Sequence, residues 1–197
     1  IFRAYDIRGI AAPLDNKPAD LTPQSVYLIG RAAGIYLQKK YAVKTMAVGS
    51  DNRLTSETLK TAYMHGLIAS GIQPTDIGLV TSPMVYWTTC AGIGVPFDSA
   101  TNITASHNPK QWNALKLLNH KGEFISDQDG KEVLAYAEGN EILFAEVDQL
   151  GSYIQDHTYI NKHIDKILAL PWVDIEAIKA RKFKVVIDCV NSVGGIA

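Results

Sequence analysis

Three short polar segments beside apolar runs hold the residues best suited to chemistry: Arg3 to Gly9 (RAYDIRG), Gly49 to Ser56 (GSDNRLTS) and Thr104 to Pro109 (TASHNP). Loops at strand ends of an α/β sheet are where ligands commonly bind. In the third segment Pro109 fixes its own φ and restricts Asn108, so Ser106 is expected on a constrained turn with its hydroxyl at the sheet edge. A serine becomes a nucleophile only if a group accepts its proton. His107 is adjacent, and Lys116 lies ten residues on. The Gly-x-Ser-x-Gly elbow of hydrolases is missing both glycines here. Taken alone, such a Ser-His pair is more often an ordinary turn than a catalytic one.

The arginines admit two readings. Arg3 and Arg8 flank Tyr5 and Asp6, and two guanidinium groups in one loop can grip a phosphate bidentately. They can equally bond to neighbouring carboxylates. Asp51 and Arg53 read as an internal ion pair that shapes its turn. Gly92-Ile93-Gly94 has no third glycine and no helix opening behind it, so it is not a dinucleotide fingerprint, and no Gly-Lys-Ser/Thr phosphate loop occurs. His65, His120, His157 and His163 are scattered, without the spacing of helical metal ligands, and read as surface residues.

The elements that must position these loops follow from periodicity. Helices are expected from Tyr27 to Lys40 behind a Thr22-Pro23 cap, from Ser56 to Ala69, from Pro83 to Cys90 and from Ser126 to Ala137. Strands are expected over Thr45–Val48, Gln73–Leu79, Ala100–Thr104 and Ala114–Leu118, the last turning at Asn119–Gly122 into Glu123–Ile125. The alternation argues for α/β layers on a mostly parallel sheet, mixed by the hairpin after Ser106. The expected fold is a three-layer α/β/α unit over residues 1–148. A second α/β unit is expected to begin at 149, with a long helix over Ser152–Leu170, a shorter one over Val173–Ala180, and a strand over Val185–Asp188. The chain opens at Ile1 rather than Met and closes on Gly194-Gly195-Ile196-Ala197, so it is expected to stop inside that second unit.

Bulk properties narrow the class. A chain of 197 residues with 47% hydrophobic and 20% charged residues is globular in composition. The formal net charge of −1 gives no nucleic-acid footprint, while leaving room for a local basic pocket. No apolar run reaches the length of a membrane span. Cys90 and Cys189 belong to no ligand pattern and read as reduced cysteines packed as small hydrophobes, which points to the cytoplasm.

Together RAYDIRG, GSDNRLTS and TASHNPKQWNALKL resemble, in order and spacing, the N-terminal domain of the α-D-phosphohexomutase family, which includes phosphoglucomutase, phosphomannomutase and phosphoglucosamine mutase. The closing VVIDCVNSVGG resembles the start of that family's second domain, with Ser192 where glycine is common. The resemblance implies that Ser106 is a phosphoserine exchanging its phosphoryl group with a sugar monophosphate through a bisphosphorylated intermediate. It implies that Lys116 is the general acid/base, that His107, Arg8 and Asn108 contact phosphate or hold the loop, and that Tyr5 shapes the pocket. It also implies Mg²⁺, with a Ser106 phosphate oxygen as one ligand and the aspartates of an Asp-x-Asp-x-Asp loop, not contained in this sequence, as the others. Glucose 1,6-bisphosphate is the expected activator, a small sugar phosphate the expected partner, and the chain alone is expected to be inactive. The Tyr-Asp-Ile-Arg-Gly opening leans towards phosphoglucomutase/phosphomannomutase. Phosphoglucosamine mutase, a non-catalytic sugar-phosphate binder of the same fold, and a serine hydrolase remain as alternatives. Neither the preferred sugar nor the oligomeric state is fixed by the sequence.

Overall fold

The computed structural model describes residues 1–3, 6–13, 18–90, 97–139 and 143–197. In chain order its elements are β1 (Ile7–Ile10), α1 (Pro23–Tyr41), β2 (Thr45–Ser50), α2 (Ser56–Ala69), β3 (Gln73–Leu79), α3 (Ser82–Trp87), β4 (Ser99–Ile103), β5 (Trp112–Leu117), α4 (Asp127–Glu138), β6 (Ile154–Gln155), α5 (Tyr159–Leu168) and α6 (Ile175–Arg181). The sheet runs β1-β5-β4-β2-β3-β6. Its ladders from β4 through β2 and β3 to β6 are parallel, while β5 is antiparallel to both β4 and β1. The expected mixed, mostly parallel sheet is therefore what forms.

Strand alternation sends side chains to two faces. Met46, Val48, Ile103, Leu115 and Leu117 pack with α1, α2 and α4 residues such as Val26, Leu59, Tyr63 and Val133. Ala47, Ile77 and Ala100 face the other way, against Met84 and Val85 of α3 and Tyr159 of α5. These are the three layers. Helix α1 begins where Thr22 and Ser25 cap each other reciprocally, with Pro23 in the first turn, and ends at Ala42 in the left-handed region (φ 54°). Helices α1 and α2 approach closely because both carry glycine at the crossing. A Cβ on Gly66 would stand 2.2 Å from the Tyr27 carbonyl oxygen, and one on Gly30 would stand 2.4 Å from that of Tyr63.

Several sequence expectations are corrected. The Arg3–Gly9 segment is not all loop, since Ile7–Ile10 is a strand on the edge of β5; four residues including Arg8 and Gly9 carry too little apolar pattern to announce it. The long helix expected over Ser152–Leu170 is instead the edge strand β6 followed by α5. The Asp156 carboxylate accepts hydrogen bonds from the Thr158 amide (3.0 Å) and hydroxyl (2.5 Å), an Asx turn that competes with helix. Glu123–Ile125 makes one bridge, Leu118 to Phe124, rather than a strand. Val185–Asp188 is not a strand: Val185, Val186 and Ile187 are exposed, and a single apolar run without a neighbouring strand has no ladder to join. Cys90 is exposed and Cys189 half-buried, both free thiols, so neither is the packed small hydrophobe expected. Of the four histidines read as surface, His163 is half-buried against Trp87. Among the described residues no helix is long and apolar enough to cross a membrane.

Candidate active site

The loop between β4 and β5 leaves the sheet at the C-terminal ends of the parallel strands. It closes through two tight turns: the Asn108 amide donates to the Ala105 carbonyl and the Trp112 amide to the Pro109 carbonyl, both at 3.0 Å. Ser106 occupies the first central position of the first turn with φ 56°. That is the left-handed conformation normally given to glycine in turns of this hand, at a cost of about 1–2 kcal/mol for any other residue. Its amide is held by the Thr104 hydroxyl at 3.0 Å, and its own hydroxyl is exposed, with Oγ 3.4 Å from His107 Nδ1. Among the described residues no carboxylate stands behind His107, so a Ser-His-Asp relay is not assembled.

Beside this loop the register brings three strands into line. Ile7 lies opposite Leu115, which places Asp6 opposite Lys116, and Asn102 of β4 flanks Lys116 on its other side. The buried Asp6 carboxylate accepts from Lys116 Nζ at 3.1 Å and from Arg8 Nε and Nη2 at 3.2 and 2.7 Å. The Arg8 Nη1 then donates to Asn108 Oδ1 at 2.5 Å. A continuous polar chain therefore runs Lys116–Asp6–Arg8–Asn108 and ends in the Ser106 loop. The Lys116 ammonium also lies 5.6 Å from the centre of the Phe124 ring.

The Gly49–Ser56 segment supports the loop from beneath. Asp51 accepts from the Arg53 amide and Nε, from the Ser56 hydroxyl and from the Thr104 hydroxyl. The Arg53 guanidinium donates to the carbonyls of Ser106, Asn108, Pro109 and Trp112. Ser56 opens α2 with its hydroxyl on Asp51, and the residue before the helix, Thr55, makes no side-chain cap.

Of the expected site residues, Ser106, His107, Asn108, Arg8 and Lys116 gather around one sheet edge. Tyr5 lies outside the described residues, as does the Gly92–Gly94 segment. The sequence reading passed over Asp6, although an acid two residues before Arg8 was its signal. It passed over Thr104 as well, which nothing in sequence marks. Among the described residues no group of three or more His, Cys, Asp or Glu side chains is placed to hold a metal ion. Ser106 alone offers a single oxygen, so these residues do not make a Mg²⁺ site by themselves. A concavity of about 680 Å³ lies at the opposite edge, between the end of α1 and the starts of β2 and β3, away from Ser106.

Comparison with known proteins identifies the family. Residues 1–142 match the model of the phosphoglucomutase/phosphomannomutase α/β/α domain I. The chain is 37% identical over 197 residues to a phosphomannomutase of Vibrio cholerae, covering 98% of this chain and 39% of that protein. It is 30% identical to a phosphoglucomutase/phosphomannomutase of Thermococcus kodakarensis, covering 100% and 41% respectively. It is 32% identical over 171 residues to a probable phosphoglucosamine mutase of Methanopyrus kandleri, covering 87% and 35%. A crystal structure of a phosphoglucomutase/phosphomannomutase family protein from Burkholderia thailandensis superposes with a TM-score of 0.70 at 28% identity, over 86% of this chain and 35% of that one. The chain thus spans well under half the length of these relatives. On the family model and on sequence identity along nearly its whole length, it belongs to the phosphoglucomutase/phosphomannomutase family, and residues 1–142 are its α/β/α domain I.

Proposed function

We propose that this chain supplies the phosphoserine half of a hexose-phosphate mutase that interconverts hexose 1-phosphate and hexose 6-phosphate. The observation that carries the reading is Ser106: an exposed hydroxyl in a glycine-like conformation at the C-terminal sheet edge, tied through Asn108 and Arg8 to the Asp6–Lys116 pair. Phosphoryl transfer asks mainly for in-line positioning and neutralised charge, and a phosphoserine carries nearly two negative charges. Arg8 commits three N–H bonds to Asp6 and Asn108 and has donors left to face a phosphate.

In the proposed cycle the free hydroxyl of the sugar monophosphate attacks the phosphorus on Ser106. The new sugar O–P bond forms as the Ser106 Oγ–P bond breaks, and the hydroxyl proton passes to Lys116, which has to enter this step as the neutral amine, its own proton given up beforehand to solvent. The bisphosphorylated sugar turns over, and Ser106 Oγ takes the other phosphoryl group while Lys116 returns its proton to the sugar oxygen released. In this proposal His107 holds the Ser106 oxygen, Asn108 binds substrate, and Tyr5 takes the pocket-shaping role that the family resemblance implies. Mg²⁺ is part of the proposal: a Ser106 phosphate oxygen would be one ligand, the others would come from an Asp-x-Asp-x-Asp loop not contained in this sequence, and the ion would supply charge neutralisation at the phosphoryl group. Glucose 1,6-bisphosphate is the proposed activator, and the cytoplasm the proposed location. The unit boundary is proposed at residue 148. The residues described here do not choose the sugar, and the 32% identity to a probable phosphoglucosamine mutase keeps an amino sugar in the test panel.

The test uses the full-length protein carrying this chain. Incubation with glucose 1,6-bisphosphate and Mg²⁺, followed by peptide mass spectrometry, is expected to place phosphate on Ser106, and Ser106→Ala is expected to take none. Absence of phosphate on Ser106 in the unaltered protein would remove the mechanism and bring forward a non-catalytic sugar-phosphate binder.

A further inference from the structure

We propose that Arg53 is a positioning residue for the nucleophile: its guanidinium holds the Ser106 loop in its left-handed turn and touches no substrate. The inference rests on the phosphoserine reading and adds to it what fixes the serine.

The donor count carries it. A guanidinium has five N–H groups. Arg53 Nε donates to Asp51 Oδ2 at 3.2 Å, Nη1 to the carbonyls of Pro109 (3.0 Å) and Trp112 (3.1 Å), and Nη2 to those of Ser106 (2.7 Å) and Asn108 (2.8 Å). Every donor is spent inside the protein, so no N–H remains for a phosphate. Four of the five bonds reach carbonyls within one seven-residue stretch that contains the nucleophile. Asp51 completes the brace from the other side. Its Oδ2 accepts from the Thr104 hydroxyl at 2.6 Å, and that hydroxyl accepts from the Ser106 amide at 3.0 Å. Ser106 is therefore gripped at both its carbonyl and its amide, by two side chains that meet on one carboxylate.

A serine at φ 56° stays there only if its surroundings over-determine it. Relaxation of the turn swings Oγ by more than the tolerance of in-line attack, where displacements of about 1 Å cost on the order of a hundredfold in rate. Lysine cannot replace the clamp, because its single ammonium has three donors on one atom and does not reproduce the planar fork.

The experiment compares full-length wild-type enzyme with Arg53→Ala, Arg53→Lys and Thr104→Val. It measures the rate of Ser106 phosphorylation by glucose 1,6-bisphosphate, kcat and KM, thermal unfolding, and rescue by added ethylguanidinium. The expected result is a fall of about a hundredfold in kcat and phosphorylation rate for both Arg53 variants, with KM within about threefold. Ethylguanidinium restores Arg53→Ala at least tenfold and leaves wild type unchanged. Thr104→Val, which keeps every charge, is expected to lose about tenfold. Wild-type phosphorylation rates in either Arg53 variant overturn the inference. So does a loss that tracks lowered thermal stability and does not respond to ethylguanidinium, which is the behaviour of a merely structural arginine. A wild-type enzyme that takes no phosphate on Ser106 overturns the phosphoserine reading itself, and this inference with it.

Discussion

Replacing Asp6 by asparagine separates the charge of the Asp6–Lys116–Arg8 cluster from its shape. The carboxylate is 3% exposed, while the Lys116 and Arg8 side chains are 10% and 19% exposed. At 3.1 Å and an effective dielectric constant near 20, the Asp6–Lys116 attraction alone is worth about 5 kcal/mol before desolvation is subtracted. Removing one member of a fully buried pair costs about 3–5 kcal/mol. Here both cations keep partial access to water and can rehydrate, so a loss at or just below the lower end of that range, about 2–3 kcal/mol, is expected in the urea unfolding of the chain. The kinetic effect should be larger in proportion. An asparagine keeps one acceptor oxygen but no charge, so Lys116 Nζ and Arg8 lose the charged acceptor they share and Asn108 is held by a less firmly fixed partner. A correctly placed acid/base group contributes about 10²–10⁴ in rate. The full-length enzyme with Asp6→Asn is therefore expected to lose on the order of a hundredfold in kcat, while Ser106 remains chemically present. The assay is steady-state turnover of glucose 1-phosphate beside the urea titration. A kcat within about threefold of wild type would show that Lys116 does not depend on Asp6, and the reasoning would fail.

Lys116→Arg keeps a cation on Asp6 but cannot release a proton; turnover is expected to fall by at least about a hundredfold, and an active arginine variant would assign Lys116 a charge role only. Asp129 ties the start of α4 to α1 through Tyr36, Lys40 and Ser126. Burial works to raise its pKa, but these bonds outweigh burial and hold it well below the ordinary carboxylate range. Stability from such a depressed group is complete above its unfolded value near 3.9 and is lost as pH falls towards the folded value. The urea midpoint should therefore drop between about pH 5 and 2 in wild type and run flatter in Asp129→Asn; parallel profiles would refute this. Asp156, pulled down to about 2 by Lys162 and Thr158, shares that sign, but its exposed pair contributes little. Gly66→Ala puts a methyl group against the Tyr27 carbonyl. The overpacking cost of about 1–3 kcal/mol is expected to exceed the ~1 kcal/mol gained in helix propensity, lowering the thermal midpoint.

The parts of the fold that could be read from sequence were those whose signal is local. The helix cap at Thr22-Pro23, the apolar run of β2, and the hairpin around Asn-Pro each declare themselves within a few residues. What escaped was decided at a distance. Strand β1 exists because β5 offers it an edge, and β6 exists because β3 does; four and two residues cannot carry that information alone. The apolar run Val185–Ile187 shows the reverse, strand composition without a neighbour to pair with. Ser106, His107, Asn108 and Lys116 were singled out by the resemblance their hairpin carries, and the structure brings them together, yet the link from Lys116 through Asp6 and Arg8 to Asn108 needs the β1–β5 register.

The two Asp-x-Arg pairs show where sequence reasoning must stop. Asp6-Ile7-Arg8 and Asp51-Asn52-Arg53 have the same spacing, and each forms an ion pair between its own acid and arginine. Their roles nevertheless diverge with the backbone that carries them. Arg8 lies on an edge strand, so its side chain runs along the sheet face and meets one carboxylate and one amide, leaving donors over. Arg53 sits in the turn before α2, where the returning loop from β4 passes across it and offers four carbonyls. A guanidinium saturated by carbonyls is a structural cation, and one with donors to spare can meet an incoming anion. Substituting both arginines in the same enzyme background should therefore give different signatures. Arg8→Ala is expected to raise KM for the sugar phosphate and flatten its dependence on salt, because a binding charge that salt would screen is lost. Arg53→Ala is expected to lower kcat with KM little changed. If both variants moved KM alone, the donor count would be the wrong guide to which arginine faces the substrate.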